Sequence, residues 1–142
     1  MMIGTWKGKY KYNLKQNSEF NKKEVGFTVE ITEFDGESFI GTIQDDDKNY
    51  GTEGLGTIEG KLDGHEITFI KKMPIRSILY GNNKQKVEFE NKKHMPIHYH
   101  GTLNLKNSYI GTWKIKGGIS FRNLLLYVSF GTQGTWEMVK VD

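Results

Sequence analysis

The stretch "HMPIHYH" gathers His94, His98 and His100, three of the four histidines in the chain. Imidazole nitrogens suit zinc and copper, and His98 and His100, at i and i+2, share one face of an extended strand, with His94 available for a third bond. The same alternation puts Tyr99 on the opposite face, with Ile97 and Leu103. The histidines are therefore expected on a polar outer face, and no metal is assigned. A haem iron would need one of them turned inward as axial ligand, which period two does not give. In "DDDKNYGTEG", Asp45, Asp47 and Asn49 alternate as at the start of a calcium loop. Tyr50 then stands where that loop needs glycine, and Gly56 where it needs a bidentate glutamate, so a solvated loop is the expectation.

Other chemistries are excluded more simply. The chain has no cysteine, which rules out thiolate catalysis, Cys-ligated zinc, iron–sulfur clusters and disulfide frameworks. It has neither a Gly-x-Ser-x-Gly elbow nor a Walker-type phosphate loop. Glu30, Glu33, Asp35 and Glu37 lie near one turn, but alternation scatters them over both faces. The net charge of +3 comes from lysines spread along the chain, with Arg76 and Arg122 the two arginines. A nucleic-acid surface would cluster such residues among exposed aromatics, so no nucleic-acid partner is expected. The longest apolar run, 124–128, falls far short of the ~20 residues of a spanning helix. No basic segment followed by an apolar one opens the chain, and a cytoplasmic protein without a membrane span is expected.

What remains is aromatic. Trp6, Tyr10, Tyr12, Phe27, Phe39, Phe69, Tyr99, Trp113 and Trp136 could line a pocket if the elements carrying them turn them to one side. Seventeen glycines against two prolines, with Thr, Tyr, Phe, Val and Ile at period two, indicate strands joined by tight turns. Strands are predicted over 3–14, 25–34, 38–45, 54–62, 65–73, 96–105, 108–117 and 134–141, with turns at Asp35-Gly36, Asp63-Gly64 and Lys106-Asn107. A further hairpin over 75–90 would bring the count to ten, and 117–134 reads as another strand pair or a short helix closing one barrel end. Short connections make neighbours in sequence neighbours in space, which gives an antiparallel meander.

One phrase recurs along these strands: Gly4-Thr5-Trp6, Gly41-Thr42-Ile43, Gly56-Thr57-Ile58, Gly101-Thr102-Leu103, Gly111-Thr112-Trp113 and Gly134-Thr135-Trp136. Alternation sends the glycine and the large residue to one face and the threonine to the other. An apolar face that alternates glycine with large side chains suits the tapering interior of a small closed barrel. The threonines and lysines then face outward, where a threonine can meet another across the strand pair. The expected fold is an all-β, antiparallel up-and-down β-barrel of eight to ten strands, a single domain over 1–142. At that length folding buries roughly 70% of the surface of the extended chain.

On Gly4-Thr5-Trp6 the chain resembles the calycins, the lipocalins, fatty-acid-binding proteins and avidins, which share such barrels. Lipocalins similarly open with Gly-x-Trp on the first strand. The resemblance implies that Trp6 closes the barrel bottom and that Lys140, on the face of Trp136 and Met138, is the basic side chain packed on it. "GTWKGKYKY" looks like the opening of the nitrobindin-like haem barrels, and avidins are similar in repeating Gly-Thr-aromatic units. The chain departs from these families in lacking a Thr-Asp-Tyr lipocalin motif, a two-helix lid between the first two strands, and a polar set matching a biotin site.

The function expected from this reading is binding of a small, largely apolar or aromatic ligand inside the barrel, lined by the nine aromatic residues above, with no cofactor. Tyrosine hydroxyls would fix the ligand's orientation. One alternative is a barrel enzyme that isomerises or cyclises an apolar substrate through a tyrosine or histidine. Another is a filled barrel whose outer face joins partner chains.

Overall fold

The computed structural model describes residues 2–14, 19–46, 50–74, 76–80, 85–89, 95–116, 118–122, 125–129 and 132–141. Twelve strands follow in chain order: β1 (Gly4–Tyr12), β2 (Glu24–Phe34), β3 (Ser38–Asp45), β4 (Leu55–Asp63), β5 (Glu66–Lys72), β6 (Arg76–Tyr80), β7 (Gln85–Phe89), β8 (Ile97–Leu105), β9 (Ser108–Ile115), β10 (Gly118–Arg122), β11 (Leu125–Ser129) and β12 (Thr132–Lys140). Eight of them close an antiparallel barrel in the order β1-β12-β9-β8-β5-β4-β3-β2. The hairpin foreseen over 75–90 forms as β6/β7, and 117–134 holds the strand pair β10/β11, but each is a separate two-stranded sheet outside the barrel wall.

The register explains the repeated phrase. Where β3 pairs with β4, Thr42 lies opposite Thr57, so Gly41 faces Ile58 and Ile43 faces Gly56. Where β9 pairs with β12, Thr112 lies opposite Thr135, Gly111 faces Trp136 and Trp113 faces Gly134. Two copies of one three-residue unit, run in opposite directions, thus set each glycine beside the neighbour's large side chain. The room left by glycine is filled: a Cβ on Gly134 would stand 2.5 Å from Trp113 Nε1, one on Gly101 2.6 Å from Trp136 Cζ2, and one on Gly60 2.5 Å from Phe39 Cζ. Each ring buried this way contributes about 1.5–3 kcal/mol relative to exposure.

Glycine also exposes backbone to the indoles. Trp113 Nε1 donates to Lys11 O at 3.0 Å, and Trp136 Nε1 to both Thr112 O at 3.0 Å and His100 O at 3.1 Å. Buried indole N–H groups are therefore satisfied without a polar side chain. The outer wall is charged instead, with Lys9 and Lys11 both paired to Glu24 at 3.1 and 3.2 Å. This apolar-in, charged-out sorting is the reverse of a lipid-facing barrel. Among the described residues no helix is long and apolar enough to cross a membrane.

The two barrel ends differ. One carries the tight turns at 35–37, 64–65 and 106–107 together with both chain ends. There Asp35 Oδ1 accepts from the N–H groups of Glu37 and Ser38, and Asn107 adopts a φ of 58°. The other end carries all the long connections, 13–23, 46–54, 73–96 and 116–131. Two bulges bend strands near the turn end, between Ile31 and Glu33 and between Leu103 and Leu105. The first resets alternation so that Phe34 packs against the core beside Phe39, and the second turns Leu105 outward, where it is 70% exposed although alternation groups it with Leu103.

Replacing Gly101 by Ala should destabilise the barrel by about 1–3 kcal/mol, because its methyl must displace either Trp136 or backbone. Urea unfolding should show a lower midpoint at unchanged slope; an unmoved midpoint would mean the interior has room to spare at that ring.

Candidate functional site

The nine aromatic residues all point inward, Tyr12 half-buried and the others buried. They do not form one lining. Trp6 sits at the turn end, its ring 5.8 Å from Tyr109 and its Nε1 donating to Met2 O at 2.9 Å. Lys140 lies directly across from Trp6 in the β1/β12 register and is half-buried, while the contacts of the Trp6 ring are with Met2 and Tyr109, neither of them singled out from sequence. Phe39, Phe69, Tyr99 and Trp136 make a second group, tightest where Phe69 stacks on Tyr99 at 4.6 Å. The third group holds Tyr10, Tyr12, Phe27 and Trp113, with Trp113 edge-on to Tyr10 at 5.7 Å and to Tyr12 at 5.2 Å.

This third group reaches the loop end, and there the interior turns polar. Along β5, Ile67, Phe69 and Lys71 face inward; along β3, Phe39, Gly41, Ile43 and Asp45 do. Lys71 Nζ meets Asp45 Oδ1 at 2.6 Å with both side chains fully enclosed. Asp45 Oδ2 accepts from Tyr10 Oη at 2.7 Å, from Thr52 N at 2.8 Å and from Thr52 Oγ1 at 2.9 Å. The Lys71 ammonium also stands 4.9 Å from the centre of the Tyr10 ring, which stabilises it through the ring's negative face. Alternation alone marks Lys71 and Asp45 as inward; their charge argues outward, and Asp45 was expected in a solvated loop. The correction is physical: each supplies the other's counter-ion, so neither is buried alone.

The environment sets the charge states. Burial pushes the Asp45 carboxyl up, but the adjacent Lys71 ammonium and the hydrogen bonds from Lys71, Thr52 and Tyr10 outweigh it and hold the group below the usual aspartate range. Burial drives the Lys71 ammonium down against the pull of Asp45. Burial first, and the negative charge of Asp45 among the further causes, raises the phenols of Tyr10, Tyr12 and Tyr99. At neutral pH Asp45 is thus a carboxylate and Tyr10, Tyr12 and Tyr99 are protonated phenols around it, with Lys71 Nζ at 2.6 Å.

Two of the long connections cover it. A single 3-10 helical turn, Glu19–Lys22, brings the buried Phe20 ring to 5.2 Å from both Tyr12 and Tyr50, and Asn21 ties this turn to Leu14 through bonds of 2.9 and 3.1 Å. From the 46–54 connection, Tyr50 accepts at its carbonyl from Tyr12 Oη at 2.7 Å and donates its own hydroxyl to Glu19 Oε1 at 3.0 Å. Phe20, Tyr50 and Thr52 carry no strand periodicity, so alternation does not find them.

The histidines lie elsewhere. His98 and His100 sit on the outer wall of β8, where His100 Nε2 pairs with Glu66 Oε2 at 2.9 Å. His94 lies outside the described residues, as do Asp47 and Asn49 of the calcium-like run. Among the described residues no group of three or more His, Asp or Glu could hold a metal ion. His98 and His100 flank a depression of about 790 Å³ whose lining combines outward residues such as Glu59, Lys61 and Lys114 with Phe39, Phe69, Tyr99 and Trp113 of the predicted set. A second depression of about 490 Å³, beside Lys9, Lys11, Thr112 and Glu137, is on the outer side. Comparison with models of known families, with curated proteins and with solved structures finds no match.

Removing one member of the buried pair should cost more than removing both. Lys71→Met leaves the Asp45 carboxylate unpaired and should destabilise by about 3–5 kcal/mol, whereas the double variant Lys71→Met/Asp45→Asn should lose clearly less. A double loss equal to the sum of the Lys71→Met and Asp45→Asn losses in urea unfolding would show that the two groups are uncoupled. The pair also predicts an acid limb. Because Asp45 has its pKa lowered on folding, its contribution is complete above the ordinary aspartate value of about 4 and is lost as pH falls through the folded value. Glu24, held low by Lys9 and Lys11, and Asp35, held low by the N–H groups of Ser38 and Glu37, retain part of this slope in every variant. Stability measured from pH 6 to 2 should therefore fall less steeply in the double variant than in the wild type.

Proposed function

We propose that the protein binds a small, largely apolar or aromatic molecule at the loop end of the barrel. The observation that carries this reading is the enclosed Lys71–Asp45–Tyr10–Thr52 centre, set among rings where two long connections bring Phe20, Tyr50 and Thr52. A buried ion pair is no better for stability than well-packed apolar residues of similar volume. The rest of this interior is filled with rings and aliphatic side chains, so stability alone gives no reason for charge at this one place. Binding sites, by contrast, are mostly apolar with a few converging polar groups that fix orientation, and loops on a rigid scaffold are where they gather.

In this mechanism the ligand enters between Phe20, Tyr50 and Tyr12 and takes ring volume at the top of the third aromatic group. Its apolar surface leaves water at ~25 cal/mol per Å² against Tyr10, Tyr12 and Trp113. The likeness to calycin barrels, which rests on Gly4-Thr5-Trp6 and the closed eight-stranded wall, belongs to the same proposal. A second reading, a filled barrel that presents its outer face to a partner chain, is favoured by one observation: the space above Gly60, Gly101 and Gly134 is already occupied by rings.

Native mass spectrometry of the protein purified from its own host, beside a denatured aliquot, separates the two. A small molecule lost on denaturation is expected, together with a roughly tenfold weaker hold on it in Trp113→Leu as one ring's contact is lost. An unliganded mass, or equal loss of fold and binding in Trp113→Leu, would favour the filled barrel.

A further inference from the structure

The loop-end centre offers a charged-type donor, Lys71 Nζ, while its carboxylate is largely occupied. Asp45 Oδ2 already receives three hydrogen bonds and Oδ1 receives Lys71. The Tyr10 hydroxyl is committed to Asp45 and the Tyr12 hydroxyl to Tyr50 O. An ammonium, however, has three N–H groups. Asp45 takes one, the face of Tyr10 engages a second, and among the described residues the third has no acceptor. A ligand whose polar end donates would find Asp45 Oδ2 filled and the weaker hydroxyl lone pairs of Tyr10, Tyr12 and Thr52 as its partners. One whose polar end accepts finds Lys71.

Charge narrows the class further. Lys71 and Asp45 cancel, and they are the buried charged side chains among the described residues. An anionic ligand would leave a net negative charge inside the barrel and a cationic one a net positive charge, each without a counter-ion. The surrounding rings of Tyr10, Tyr12 and Trp113, mutually edge-on, favour an aromatic body. Building on the binding reading above, we propose that the ligand is an uncharged aromatic carbonyl compound whose carbonyl oxygen accepts a hydrogen bond from Lys71 Nζ.

Four phenyl probes of matched size test this: acetophenone, ethylbenzene, benzoate and benzylammonium, followed by quenching of tryptophan fluorescence and by the carbonyl stretch of isotope-labelled acetophenone. Acetophenone should bind about tenfold or more tighter than the other three, as one hydrogen bond from a charged donor predicts. Its bound carbonyl stretch should lie below that in an apolar solvent, and this reads the hydrogen bond in the wild-type protein without any variant. In Lys71→Met/Asp45→Asn, which leaves no unpaired charge and whose fold is checked by circular dichroism, the affinity should drop about tenfold and the shift should vanish. Ethylbenzene or either charged probe binding as well as acetophenone, or a shift that survives in the double variant, overturns the carbonyl assignment and leaves the binding reading standing. Binding of none of the four overturns both.

Discussion

A closed barrel of eight strands has an interior whose width is set by the number of strands and their tilt, so every large side chain pointing inward must be matched by a missing one. This chain meets that constraint between strands as well as along them. Thr42 opposite Thr57 and Thr112 opposite Thr135 act as pivots, and on either side of each pivot a glycine receives the neighbouring strand's Ile or Trp. The same register gives the indoles of Trp113 and Trp136 their backbone acceptors, because the residues that would have covered those carbonyls have no side chain. Packing, hydrogen bonding and closure thus rest on one arrangement, which is why a methyl at Gly101 is expected to disturb more than its own site.

Against that apolar filling, the Lys71–Asp45 pair is a local exception with its own logic. It occupies the last inward positions of β3 and β5, where the wall gives way to the long connections. Thr52, from one of those connections, bonds Asp45 twice, and Tyr12, from the wall, bonds the carbonyl of Tyr50 from the same connection. The pair is therefore both a polar centre and the anchor of the segment that covers it. Any molecule reaching Lys71 must compete with contacts that hold the cover down, and its binding energy is reduced by what opening costs.

Most of the fold was legible because alternation is a strict rule wherever one face is buried. The eight wall strands fall within a few residues of their predicted spans, and the turns fall on Asp35-Gly36, Asp63-Gly64 and Lys106-Asn107. Leu105 shows where the rule stops: a bulge removes the parity that grouped it with Leu103, and bulges leave no mark in residue type here. The polar centre was legible in parity but not in chemistry. Lys71 follows Ile67 and Phe69 at period two, and Asp45 follows Ile43, yet a charged residue near a strand end ordinarily ends up in water. Recognising either as inward required knowing that the other stood beside it inside the barrel, on strands separated in the wall by β4. Phe20 and Tyr50 are further from reach, since their positions depend on how two irregular connections meet.

The difference between the two ends follows from the same physics. At the turn end, two- and three-residue connections leave no chain to spare, and Met2, Trp6 and Tyr109 seal the interior with apolar groups. At the loop end, the connections are long enough to carry side chains of their own into the barrel, and what they carry is polar as well as aromatic: Thr52 for Asp45, Tyr50 for Tyr12, Phe20 between them. The wall is held by ladders that specify register at every pair, while the described cover residues are joined to it through contacts such as Tyr12–Tyr50 and Thr52–Asp45. The proposed binding at the loop end would therefore ask only the cover to give way, with the ladders of the wall kept.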